Sequence, residues 1–250
     1  MKPFPRTAIA FSLAAAFTVA GTQHAEAQES DWQIDFGASV QFTTISGDIG
    51  FAGVDDARTL SLGDLVSSAQ PGIAIEFDVW KGDWGLLADM FTVEYEGKTA
   101  TDQNAVFTTQ AEESVGRLAV GRQVADGAHV YAGARFWSTA LDFRLTEPNP
   151  GNLDGSDNWV DPVIGGSIDT PIDDGWFAVL DADVGGFGLS SNLTWHAMGS
   201  IGYEVTPGWS VLVRYRATGV DYETDSSAGG GTVTYDTVRH GAFFGLVLHF

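Results

Sequence analysis

From Val238 to Phe250 the chain alternates with a period of two. Val238, His240, Ala242, Phe244, Leu246, Leu248 and Phe250 fall on one side, and Arg239, Gly241, Phe243, Gly245, Val247 and His249 on the other. Successive side chains of a strand point to opposite faces, so this pattern predicts a strand with one apolar and one mixed face. Similar stretches predict about ten strands, near 32–44, 71–80, 84–96, 113–124, 128–143, 159–171, 176–184, 193–205, 209–222 and 233–250. The count turns on the connection after Val184. Reading it differently leaves eight.

The connections alternate in length. Lys81-Gly82-Asp83-Trp84, Ala125-Asp126-Gly127-Ala128, Asp173-Asp174-Gly175-Trp176 and Thr206-Pro207-Gly208-Trp209 are tight, with the Gly, Asp and Pro that such turns need. The others span 45–70, 97–112, 144–158 and 223–232, with a shorter one at 185–192. All tight turns then share one rim. Charges also keep to one side: Ile73, Ile75, Phe77 and Val79 oppose Glu76 and Asp78, and Val211, Val213, Tyr215 and Ala217 oppose Arg214 and Arg216. Arg122 is the exception, on the side of Leu118 and Val120 near a tight turn, where a long side chain snorkels.

The N-terminus carries Lys2 and Arg6, an apolar run from Ala8 to Ala20, and Ala25-Glu26-Ala27, which reads as a secretory signal peptide cleaved before Gln28. That leaves one domain, 28–250. The apolar run is about 13 residues, short of the ~20 a spanning helix needs, so any insertion by the mature chain must use strands. Together these point to an all-β, closed antiparallel transmembrane β-barrel with short periplasmic turns and longer extracellular loops. Its apolar face turns to lipid and its charged face to the lumen. Trp80, Trp84, Trp176, Trp209 and Phe250 are assigned to an aromatic girdle at the tight-turn rim.

Without residues 1–27, the 12 basic and 33 acidic residues fall to 10 and 32, a net charge of −22. That excludes nucleic acid, whose phosphates select basic surfaces. The chain has no Cys, so no disulfide holds an exported fold together, and closure of the sheet must.

Trp159-Val160-Asp161-Pro162-Val163-Ile164-Gly165-Gly166, Asp181-Ala182-Asp183-Val184-Gly185-Gly186-Phe187-Gly188, Leu193-Thr194-Trp195, Gly202-Tyr203 and Arg214-Tyr215-Arg216 resemble a family of uncharacterised Gram-negative outer-membrane β-barrel proteins over roughly 130–250. More loosely, the chain resembles the small barrels typified by OmpA and OmpW, and its closing Phe resembles their C-terminal signature. The resemblance implies location in the outer membrane after export through the periplasm. It further implies contact with outer-membrane lipid and lipopolysaccharide, and recognition of the C-terminal strand by the barrel assembly machinery. It implies no agreed activity, only porin-like annotation.

The expected lumen residues are Glu76, Asp78, Asp89, Asp161, Asp181, Asp183 and Glu204 against Arg117, Arg135, Arg214, Arg216 and Arg239, with His196 beside them. In a narrow barrel such charges pair, and a packed polar core that plugs the lumen is the favoured reading. A constriction passing small hydrophilic solutes is the second. A third is a hydrolase, protease or lipid A-modifying, built on Asp181, Asp183 and His196 toward the long-loop rim, where the ten-stranded outer-membrane proteases place acidic residues and a His. No nucleophile motif accompanies it, and a lipid A deacylase would need a Ser and His pair that is missing. Accordingly no catalysis is expected. His129, His240 and His249 scatter over rims and faces, and Asp154-Gly155-Ser156-Asp157-Asn158 lacks the Glu that completes a Ca²⁺ loop, so neither metal nor cofactor is expected. Residues 60–68 read as one helical turn resting on or plugging the mouth.

Overall fold

The computed structural model describes residues 32–52, 57–61, 70–100, 106–147, 151–225 and 232–250, and the signal peptide read at 1–27 lies outside them. Eleven strands follow in order: β1 (Trp32–Ala52), β2 (Ala57–Ser61), β3 (Gln70–Lys81), β4 (Trp84–Ala100), β5 (Val106–Ala125), β6 (Ala128–Glu147), β7 (Gly151–Asp173), β8 (Trp176–Gly185), β9 (Ser191–Thr206), β10 (Trp209–Asp225) and β11 (Thr232–His249). Each of β3 to β10 pairs antiparallel with the next, β3 pairs with β1, and β11 returns to β1, so ten strands make a closed ring. The closing seam runs from Asp35↔His249 to Ala52↔Thr232. Phe250 extends it, exchanging backbone bonds with Ile34 at 2.9 and 3.2 Å. β2 pairs only with the far end of β1, Asp48–Ala52, above the stretch Trp32–Thr43 that β3 occupies.

Closure leaves no strand edge in the ring at the level of the lipid, which is what a bilayer interior requires. The outer wall is apolar: Ile75, Leu118, Val130, Ile164, Leu180, Val213 and Phe244 are all exposed. At the tight turns Gly82 and Gly127 adopt positive φ, and Asp174 and Gly175 do so together, the twist-matched geometry of two-residue hairpins. Arg122 turns outward over the Trp84 ring, 5.5 Å from its centroid.

The strands run further than the alternation foretold. β1 continues to Ala52, β5 begins at Val106 and β7 at Gly151, so Asp154–Asn158, read as a turn, lies within β7. Past the lipid level the ladder needs only backbone hydrogen bonds, and polar side chains suit both faces, so hydrophobic alternation stops before the strand does. Leu60 and Ser61, read as the start of a helical turn, end β2 instead, and 62–69 lie outside the described residues. The connection after β8 is a tight turn: Gly186, Phe187 and Gly188 all have positive φ, and the Gly188 amide donates to the Ser191 carbonyl at 3.0 Å. β8 has 10 residues against 23 in β7, so Gly151–Pro162 meets no partner strand on its β8 side. Phe187 and Leu189 stand exposed at that turn.

Val213 is outward and half-exposed on the wall between Ile201 and Phe244. Val213→Arg should lower stability by about 2–4 kcal/mol in lipid, the cost of a cation on the lipid face, read from denaturant unfolding of the vesicle-embedded barrel.

Candidate functional site

The lumen is filled in three tiers. Near the tight turns, Leu87, Ala119 and Tyr131 pack with Trp80, whose ring lies against His129 at 4.6 Å. Gly85 and Gly121 are required there, since a Cβ at either would strike the Trp80 ring. Trp80 is therefore a lumen residue, a correction to its place in the girdle: it shares the parity of Glu76 and Asp78, and parity prevails over its nearness to the turn. Trp32 takes the outer position, under Lys81 at 4.7 Å, and Trp84, Trp176 and Phe250 are outward and exposed. Trp209 has the outward parity of Val211 and Val213, half-buried, and Trp176 packs on Tyr203 at 5.1 Å.

The middle tier is an ion-pair lattice. Arg117 from β5 donates Nε to Asp89 at 2.7 Å and Nη1 to Asp181 and Asp183 of β8 at 3.0 and 3.3 Å, and also to the Tyr131 hydroxyl. Arg135 from β6 grips Asp183 with Nη2 at 2.6 and 2.8 Å and gives Nη1 to Thr194 at 3.1 Å. Arg214 of β10 reaches Glu76 of β3 with both terminal nitrogens. His196 Nδ1 lies 3.1 Å from Asp181 but off the direction of a hydrogen bond. Arg216 has no carboxylate partner among the described residues, and its guanidinium sits over Phe91 and Phe243 at 5.4 and 4.7 Å.

Toward the long connections, Arg239 of β11 pairs with Glu113 of β5, both 2 % exposed, while its guanidinium lies 4.7 Å over Trp137. Trp137 stacks on Trp159 at 5.5 Å and Trp159 on Tyr222 at 4.1 Å, nearly parallel. Trp159 Nε1 donates to Ser191 at 2.9 Å and Asp161 at 3.2 Å, and Asp161 also accepts the Ser191 amide at 2.8 Å. Tyr222 donates to Asp157 at 2.9 Å, tying β10 to β7 above the short β8.

Of the sequence-derived set, Glu76, Asp89, Arg117, Arg135, Asp181, Asp183, His196, Arg214 and Arg216 converge in the middle tier. Arg239 stands in the tier above, and Asp161 serves as a hydrogen-bond acceptor for the start of β9. Asp78 is half-buried toward the tight turns, opposite Asp35 in register. Glu204 has the inward parity yet lies exposed at the rim. Glu113, Tyr131, Thr194, Ser191 and the Trp137–Trp159–Tyr222 stack were missed. Glu113 was legible, two and four residues from Val115 and Arg117 on the same face. The others needed the register between strands.

Asp181, Asp183 and His196 offer ligand atoms within 4.8 Å of one another, a spacing that would suit a divalent ion. The donor set does not fit one well. Arg117 and Arg135 occupy the carboxylate oxygens and set two positive charges against any cation. Nor does the trio stand at the rim: all three are buried, and Trp159 and Tyr222 lie beyond them toward the long connections.

No family model and no curated protein matches the chain. Among solved structures, it is similar to the outer membrane protease OmpT from Escherichia coli, with TM-score 0.51 and 11 % identity over 87 % of this chain and 97 % of that one. It also matches the transport unit of the autotransporter AIDA-I from Escherichia coli, with TM-score 0.44 and 10 % identity over 93 % and 94 % of the two chains. A third match is the attachment invasion locus protein Ail of Yersinia pestis, with TM-score 0.39 and 8 % identity over 86 % and 99 %. The fold is that of a Gram-negative outer-membrane β-barrel.

Asp183 is the carboxylate that pairs with Arg135, whereas Arg117 also holds Asp89 and Asp181, so Asp183→Ala strands the buried charge of Arg135. It should cost about 3–5 kcal/mol of stability, measured as a shift in the urea midpoint, while Glu204→Ala at the rim should leave it unchanged within about 0.5 kcal/mol.

Proposed function

We propose that this outer-membrane barrel serves envelope structure with its lumen sealed rather than passing solutes. One observation carries the reading: ion pairs bridge the lumen from wall to wall. Arg239–Glu113 joins strands four apart in the ring of ten, nearly a diameter, and Arg214–Glu76 and Arg117–Asp181 each join strands three apart. A solute would have to break these pairs and leave buried charges unmatched. The stacked rings of Trp137, Trp159 and Tyr222 occupy the same column. A porin-like constriction would instead line an open path with charge.

The hydrolase reading rests on the closeness of Asp181, Asp183 and His196. A general base needs access to water and substrate, whereas these carboxylates are held by arginines and lie beneath the aromatic tier. The geometry supports a structural role for them. The leader at 1–27 and export through the periplasm belong to the same proposal. So do contact of the apolar wall with lipid and lipopolysaccharide, and recognition of the strand ending at Phe250 by the assembly machinery. The outward ring of Phe250, whose backbone is tied into the closing seam, supports that last contact.

In planar bilayers the refolded protein should show no unitary conductance steps at any voltage. The double variant Arg239→Ala with Glu113→Ala, which removes both charges together, should stay closed as well, because Arg214–Glu76 and Arg117–Asp181 still bridge the lumen. Steady conductance through the unmodified barrel would refute the sealed lumen.

A further inference from the structure

Of the five lumen arginines among the described residues, four have carboxylate partners: Arg117, Arg135, Arg214 and Arg239. Arg216 has none among the described residues, although only 6 % of it is exposed. Its Nε lacks any hydrogen-bond partner, and Nη2 reaches only the Met198 sulfur at 3.8 Å. The flat faces of Phe91 and Phe243 interact with the cation but do not neutralise it. A buried guanidinium in that state calls for a counter-charge.

Beside it lies a void of about 10 Å³, room for one water-sized body. Its polar lining is Arg117, Arg135, Arg216, His196, Thr218 and Asp89. Three guanidinium groups thus face a single carboxylate, and Arg117 Nε already holds one oxygen of that carboxylate at 2.7 Å. Asp181 and Asp183 do not line the void. The Thr218 hydroxyl is buried and unpartnered as well. So the void is bordered by cations and by three residues with an unpartnered polar atom, Arg216, Thr218 and His196, in a chain whose net charge is −21.

We propose that this void binds one monatomic, halide-sized anion, held by the Arg216 guanidinium and the Thr218 hydroxyl that line it. A water molecule would satisfy hydrogen-bonding directions but leave the charge of Arg216 unmatched. Carboxylates and phosphates are too large for a space of one atom. The anion is an internal counter-ion, completing the lattice at the lumen arginine that has no carboxylate partner among the described residues.

The test uses the full refolded barrel in detergent, exchanged into sodium gluconate and titrated with bromide at constant ionic strength. The unfolding midpoint should rise and saturate, as for a ligand that binds only the folded state. Crystals grown with bromide should show an anomalous peak between Arg216 and Thr218. Arg216→Met should abolish both effects, and Thr218→Val, which keeps the cation, should raise the half-saturating bromide concentration by about tenfold. A void holding water with no anomalous signal, or an unchanged bromide response in Arg216→Met, would overturn the proposal. Should Arg216→Met fail to fold, the unmodified barrel's anomalous map and the Thr218→Val titration decide the matter alone.

Discussion

Hydrocarbon offers no partner for a backbone amide, and from that constraint the architecture follows. A sheet in lipid must pair its first strand with its last. Here β1 and β11 do so over the whole span from Asp35 to Ala52, and Phe250 adds its own backbone bonds to Ile34. With no disulfide available, this seam and the hairpins hold the ring. Closure also fixes what remains inside: ten strands enclose a column narrow enough for side chains from opposite walls to touch.

That narrowness turns lumen charge into structure. Arg117, Arg135, Arg214 and Arg239 meet carboxylates on neighbouring or facing strands, and the forked guanidinium suits a site where two or three acceptors converge. A slip of two residues in any strand would keep every side chain on its proper face, so alternation alone cannot prevent it. It would, however, pull Arg239 from Glu113 and Asp183 from Arg135. Specific pairing across the column is thus what selects one register among those the outer wall tolerates.

Much of this was legible because a strand's period is two. Once Asp181 and Asp183 were seen to share a side, and His196 to share one with Met198 and Ser200, their inward facing followed. What alternation cannot carry is the relation between strands. Trp137, Trp159 and Tyr222 lie on three strands of which only β6 and β7 are neighbours, and only register stacks them. Trp80 shows the opposite case: its alternation with Glu76 and Asp78 places it inside, while its nearness to a turn points to the girdle. The strand ends at Ala52, Val106 and Gly151 were illegible for a third reason, since beyond the lipid the ladder persists without any hydrophobic bias.

The ten-residue β8 gives the barrel a heading in the plane of the membrane. Its turn at Phe187 and Leu189 sits low, while β7 and β10 on either side of the β8–β9 hairpin carry on as polar ladder. The palisade above the bilayer therefore has a dip on one flank. A neighbour drifting in from that direction meets a greasy sill at Phe187 and Leu189 and, above it, a stretch of β7 with no strand beside it.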